Sequence, residues 1–323
     1  EVTVKTLSAE QIEVLPGSNG DVVKAIQNLP GIARAPSGIG QLIIRGTAPE
    51  DSSFFIDGSP IPDVFHFAGL TTVVSPSNIE SVQFLPGNYS VRYGRQLGGL
   101  VDIQTRSKFP EREESFVSVD LFQSAAYVEK KVRDNVVLAV SGRRSYADVI
   151  LNPIVNAMGA NFRIPRYYDF QTQATVKTKS DGLIQGLFFL SNDQFSFSGG
   201  EDNEATNTGY AKEFQKFQFK YTQGFATDWQ SQLVIGGGPQ RQDFFFDLNG
   251  EAYESQNELN LRQEFSKLQT EEIGSSMRVG LDLNSGIFSF RYDLPSFPYE
   301  LEEADLWYLE PALYGEYRYR GKY

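Results

Sequence analysis

The chain of 323 residues contains no cysteine and a single histidine, His66. The first absence removes disulfide frameworks, thiolate metal sites and cysteine nucleophiles, and leaves the redox compartment open. The second weakens the case for a hydrolase triad or a His-rich metal centre, because imidazole supplies most catalytic bases and many transition-metal ligands. An enzyme is therefore not expected, and no cofactor is. Cations are also short, 29 Lys and Arg against 41 Asp and Glu for a formal charge of -12. The clustered cations that displace counterions from nucleic acid are missing, so no nucleic-acid partner is expected. No apolar run approaches the ~18–20 residues of a membrane helix. Glu1 to Leu7 lacks the basic start and apolar stretch of a signal peptide, so the sequence reads as a mature or trimmed product.

What the chain does have is aromatic residues, 25 Phe and 16 Tyr against 2 Trp. That surplus suits a soluble β core or a membrane barrel, whose strands alternate apolar and polar residues and so escape a hydropathy scan.

Up to about residue 107 the pattern is mixed α and β. Val2 to Thr6 is β-prone, and Ser8 can cap a turn at Ala9, Glu10 and Gln11. Asp21 is a good N-cap for a helix over Val22 to Leu29, which Pro30 and Gly31 stop. Short strands are expected at Gln41 to Arg45, Ser53 to Ile56, Ile79 to Leu85 and Leu100 to Thr105. Residues 108–114 shift to charge and read as a linker. From residue 115 to 323 long segments alternate with period two. Met277, Val279, Leu281 and Leu283 stand against Arg278, Gly280, Asp282 and Asn284, and Phe170, Thr172, Ala174 and Val176 against Gln171, Gln173, Thr175 and Lys177. Such a sheet has one face in an apolar medium and the other in a polar one. Strands of about ten residues, joined by tight turns and long connections, match a tilted bilayer-crossing barrel better than a sandwich. Long connections are expected at 150–166, 198–212, 239–256 and 286–306, with about ten strands in all. A closed barrel of ten strands fills with its own side chains, whereas barrels that hold a plug have about 22. These strands therefore read as part of a larger wall. A soluble two-domain β protein is the remaining alternative.

In the first segment the residues resemble the TonB-dependent outer-membrane receptor family. Asn28, Leu29, Pro30 and Gly31 are similar to its NLPGV motif, and Ile44, Arg45 and Gly46 to IRG. Phe55, Ile56, Asp57 and Gly58 are similar to VLVDG, and Ile79 to Gly87 followed by Tyr93, Gly94, Gly98 and Gly99 to the ordered stretch ending in YG and GG. Each motif is weak alone; the ordered set over residues 20–105 is specific. The resemblance implies an α+β plug domain followed by a transmembrane antiparallel β-barrel, of whose about 22 strands this chain holds about ten. It also implies a location in outer-membrane lipid, with loops extracellular and the plug approached from the periplasm. The activity implied is uptake of a scarce extracellular solute such as a siderophore, cobalamin or a glycan, driven by a TonB-like inner-membrane protein. No TonB box is evident, and one is expected upstream of Glu1. Where the family commonly carries EVLRG, this chain has Gln83, Phe84, Leu85, Pro86 and Gly87, so two charges that help lock plug to barrel are absent. Arg45, Glu80, Arg92 and Arg95 are the candidates to replace them. These departures motivate an alternative, a non-transporting receptor or a scaffold working with additional envelope proteins.

By the same resemblance three plug loops point to the outside: Arg34 to Ser37, Thr47 to Asp51 and Asp63 to Phe67. Arg34 suits an anionic solute, Glu50 and Asp51 a cationic one, and Phe65, His66 and Phe67 present two aromatic faces around a titratable donor. The plainer alternative has Phe65 and Phe67 packing the loop and His66 as a hydrogen-bonding spacer. No spacing among Asp63, Glu50 and Asp51 matches a Ca²⁺ loop, so no metal is expected.

Overall fold

A computed structural model of the chain describes residues 5–18, 21–34, 42–48, 51–66, 71–121, 123–157, 162–199, 206–246, 250–267, 274–293 and 302–320. The first part holds β1 (Lys5–Ser8), α1 (Ala9–Val14), α2 (Val22–Gln27), β2 (Ile32–Arg34), β3 (Leu42–Ile44), β4 (Ser53–Ile56), β5 (Ser59–Pro60), β6 (Phe65–His66), β7 (Thr71–Thr72), β8 (Ile79–Leu85) and β9 (Leu100–Thr105). Local chemistry sets the starts. Ser8 and Gln11 form a reciprocal capping box for α1, and the Asp21 carboxylate accepts from the Lys24 amide at 3.0 Å to open α2. Its other oxygen takes the Thr72 amide at 2.7 Å and so ties α2 to β7. One sheet runs β1-β8-β9-β4-β5, with β4 parallel to β9. Its core packs Ile26, Ile44, Ile56, Val82 and Ile103 with the helices, and continues outward onto Leu187, Phe189 and Phe214 of the second part. Two glycines fit where a side chain would not. Gly58 follows Asp57 in a two-residue hairpin with φ of 82° and 51°, and at Gly98 a Cβ would lie 2.7 Å from the Asp51 carbonyl oxygen.

The second part is one antiparallel meander of ten strands. These are β10 (Glu114–Val119), β11 (Gln123–Arg133), β12 (Val136–Ser145), β13 (Phe162–Lys177), β14 (Leu183–Gly199), β15 (Thr206–Ala226), β16 (Trp229–Phe246), β17 (Gly250–Lys267), β18 (Gly274–Asp293) and β19 (Glu302–Arg320), with helix α3 (Ala147–Ala157) between β12 and β13. The sheet is open, with β10 and β19 at its two ends. Its burial is inverted relative to a water-soluble protein. Gln171, Gln173, Lys216, Lys220, Arg262 and Glu264 are buried, while Phe170, Phe217, Phe219, Leu259, Leu281 and Leu313 are exposed; Lys216 is 2% accessible and Leu313 84%. The outward face is therefore a band for hydrocarbon, and the inward face is a polar wall against the plug.

The strand count agrees with the period-two reading, but the lengths do not. The seven strands from β13 to β19 run 16 to 21 residues instead of about ten. Most of 206–212, 239–246, 250–256 and 286–293, expected as connections, is strand, and α3 fills much of 150–166. A strand of 20 residues spans ~65 Å and rises ~45 Å at a 45° tilt, well beyond an apolar band of ~25 Å. The part beyond the band meets water on both faces, so alternation fades there, as in Glu254, Ser255, Gln256, Asn257 and Glu258. Leu281→Arg, on the outward face near the middle of β18, is expected to destabilise the protein in lipid vesicles by about 2–4 kcal/mol. Urea unfolding monitored by tryptophan fluorescence checks this, and an unchanged midpoint would contradict the assignment of that face.

Candidate functional site

The candidate site is the seam between plug and wall together with the lumen beside it. Inward wall positions recur every second residue, so each strand offers a ladder of polar side chains at successive heights. The plug meets these ladders in three groups of contacts, and the rung bearing Arg262 and Asp282 serves two of them.

Toward the end of the wall bearing α3, His66 of β6 is buried. Its Nε2 lies 2.9 Å from Asp169 of β13 and its Nδ1 3.0 Å from Asp193 of β14. The Tyr167 ring stacks on it at 4.2 Å. Arg143 of β12 pairs with Asp169 at 2.7 Å and donates to the Thr72 carbonyl, so the same aspartate serves two cations. Burial pulls the His66 pKa down, but the hydrogen bonds to Asp169 and Asp193 outweigh it and hold the imidazole above its ordinary value. Beside it, Asp63 accepts from the Val64 and Phe65 amides and pairs with Lys212 of β15 at 2.7 Å.

At mid-height the Asp57–Gly58 turn is gripped from two strands. Lys220 lies 3.2 Å from Asp57, and Arg262 donates to the Gly58 carbonyl at 3.0 Å. Lys216 donates to Ser59 Oγ at 2.8 Å and to the Pro60 carbonyl at 2.6 Å. Across the lumen, Gln171 donates to the Val73 carbonyl at 2.9 Å and accepts from Asn78 at 3.2 Å. Next to the Asp57–Gly58 turn Arg92 faces Glu264 at 3.7 Å, and Arg95 reaches Asp282, the register partner of Arg262, and Glu310, each at 3.2 Å. Behind them Tyr93 donates to Asp102 at 2.8 Å. Burial holds the Asp102 carboxyl above the usual carboxylate range against the attraction of Arg92.

Of the proposed lock residues, Arg92 and Arg95 thus reach the wall. Glu80 instead pairs with Lys108 at 2.9 Å and holds the segment leaving the plug. Arg45, at φ 54°, lays its guanidinium over Gly87, and no wall carboxylate pairs with it among the described residues. Of the proposed solute contacts, Ser37, Glu50 and Phe67 lie outside the described residues, and only the backbone of Arg34 is described, closing β2 opposite Leu42. Asp51 is half-buried and takes the Gly98 amide on its carbonyl at 3.0 Å. Phe65 packs edge-to-face on Phe54 at 5.7 Å. His66 offers no surface to a solute, because both its ring nitrogens are engaged by the wall. The residues that sequence reasoning missed, Asp57, Ser59, Arg143, Asp169, Asp193, Lys216, Lys220 and Arg262, are mostly cations and carboxylates at inward parity. Parity alone marks them as inward and does not say which plug atom each meets.

An inverted sheet whose polar face is occupied by an α+β domain defines a plugged outer-membrane barrel, here represented by ten strands. Residues 1–100 match the family described as TonB-dependent Receptor Plug Domain. These residues are a plug domain of the TonB-dependent receptor type. The chain is 32% identical over 121 residues to the ferrienterobactin receptor of Escherichia coli (strain K12), covering 32% of this chain and 16% of that protein. The outer membrane transporter YddB from Escherichia coli superposes with TM-score 0.72 at 10% identity, over 98% of this chain and 54% of that one. A mutant ferric enterobactin receptor, PfeA, from Pseudomonas aeruginosa gives 0.68 at 16% identity, over 97% and 54%. The chain thus spans about half the length of these solved structures.

The raised His66 pKa has a definite sign. Its stabilising contribution is complete below the ordinary imidazole value and is lost as pH rises through the raised one. The protection of the amides of residues 64–66 and 71–73, taken relative to their intrinsic base-catalysed exchange, is therefore expected to fall with rising pH, and His66→Gln to flatten that dependence. Protection independent of pH in the unaltered protein would rule out the charged imidazole.

Proposed function

We propose that this chain forms the plug and ten wall strands of an outer-membrane receptor that takes up a scarce solute of siderophore, cobalamin or glycan type. An inner-membrane TonB-like protein supplies the energy. The observation that carries the reading is the plug's seat: a folded domain held in a polar lumen largely by hydrogen bonds and ion pairs, which water can replace one by one when the domain is pulled. In this reading residues 1–107 are the plug, 108–114 the linker and 115–323 the wall. The long connections and the plug loops at Arg34 to Ser37, Thr47 to Asp51 and Asp63 to Phe67 face the extracellular side. Arg34, Ser37, Glu50, Asp51, Phe65 and Phe67 then contact solute, and His66 tethers the third loop to the wall. Similarity to the ferrienterobactin receptor and to the outer membrane transporter YddB supports uptake as the activity.

A non-transporting receptor or scaffold would share the fold but lack the motor. Two measurements on the full-length receptor separate the readings: capture by the C-terminal domain of a TonB-type protein, and cellular uptake of radiolabelled candidate solutes with and without that protein. Capture together with uptake that vanishes when the TonB-type protein is deleted is expected. Neither capture nor uptake would leave the scaffold reading.

A further inference from the structure

The inward row of β17 and β18 meets the plug at Asn260, Arg262 and Asp282, whereas at Gln240, Gln242, Glu254 and Gln256 no hydrogen bond or ion pair to a described plug residue is made. From β16 to β19 the pairing register is unbroken, so even-numbered positions of β17 and β18 stay on the face set lower down by Arg262, Glu264 and Asp282. In the upper half that row changes character. Phe288, Phe290 and Tyr292 form a half-exposed aromatic ladder along one strand, with ring centroids 6.1 and 5.4 Å apart. Beside it Gln256 accepts from Gln240 and donates to the Tyr308 hydroxyl at 2.7 Å, and Tyr292 donates to Glu254. A cavity of about 190 Å³ lies among Pro62, Gln240, Gln242, Glu254, Gln256 and Phe288.

The charge of this surface is one-sided. Lys212 also lines the cavity, but Asp63 neutralises it at 2.7 Å. Arg241, at the rim, sits at outward parity and is bound to Asp243 at 2.7 Å and the Tyr253 ring at 4.7 Å. Among the described residues no Lys or Arg lies within 4.0 Å of the Glu254 or Glu258 carboxylates. A polyanion entering beside Glu254 meets negative potential, and Lys212 and Arg241 next to it are already paired. A hydroxyl-rich ring meets the partners it needs: carboxylates that accept, amides that accept and donate, and flat apolar faces for its C–H side. The volume is below the ~300–1,000 Å³ of pockets for drug-sized ligands, so it seats one ring unit while the rest of the solute extends into the lumen.

We propose that the upper lumen wall, from Gln240 and Gln256 across to Phe290 and Tyr292 with Pro62 as its floor, binds a neutral, hydroxyl-rich solute of oligosaccharide type and not a polyanionic ferric chelate. The proposal rests on the receptor reading above and names its solute class. The test uses the detergent-solubilised full-length receptor on immobilised neutral malto-, xylo-, manno-, galacto- and chito-oligosaccharides, with ferric enterobactin binding measured in parallel by fluorescence quenching. Wild type is expected to bind at least one oligosaccharide series and not ferric enterobactin. Phe290→Ala and Gln256→Leu are each expected to weaken that binding about tenfold, with the unchanged heat-dependent gel mobility of a folded barrel. Binding of ferric enterobactin, binding of no oligosaccharide, or variants that bind as well as wild type would each overturn the assignment. A receptor that imports ferric enterobactin with TonB would keep the transport reading and lose only this solute class. One that binds oligosaccharide but neither engages TonB nor imports would keep the solute class and lose transport.

Discussion

The constraint on which this structure depends is that a wall with hydrocarbon on one side cannot leave its polar side chains on the other without partners. An unpaired buried charge is among the most costly features a protein can hold. Lys216, Lys220, Arg143, Arg262, Asp169 and Asp282 are all buried on the inner face. The wall pairs some of them internally, as Arg262 with Asp282 at 3.1 Å, and the plug supplies much of the rest through its turns and carbonyls. Plug and wall are therefore complementary in hydrogen-bonding capacity more than in shape. Leu187, Phe189 and Phe214, where the wall turns apolar, mark a side on which the plug core runs into it.

This division matters for how the parts separate. An apolar interface opens all at once and exposes area in proportion to its size. Polar contacts distributed over several strands open one at a time, each replaced by water as the lumen wets. The group at His66 differs from the other two groups, because its strength varies with proton activity while guanidinium pairs such as Arg95 with Asp282 stay charged throughout.

The fold was legible in the sequence wherever local chemistry fixes it. Ser8 with Gln11, Asp21 before Val22, and Asp57–Gly58 each specify their element within a few residues. The period-two segments around Phe170 and Leu281 marked a two-faced sheet, and the ordered plug motifs identified the family. The upper halves of β15 to β18 were not legible, since a strand with water on both faces carries no alternation to read. In the candidate site, Arg92 and Arg95, offered by the resemblance as replacements for two missing charges, do reach wall carboxylates. Arg45 and Glu80, offered on the same ground, do not: Arg45 is exposed beside Gly87 and Glu80 pairs with Lys108. Partners such as Asp193, 127 positions from His66, are set by strand register and plug seating, neither of which a linear pattern encodes.

The single imidazole among these 323 residues sits at the contact between the two domains. Its ring resonances are thereby a native spectroscopic probe of plug seating for this stretch, free of overlap from a second histidine within it. A change at that contact would register there without any label being introduced.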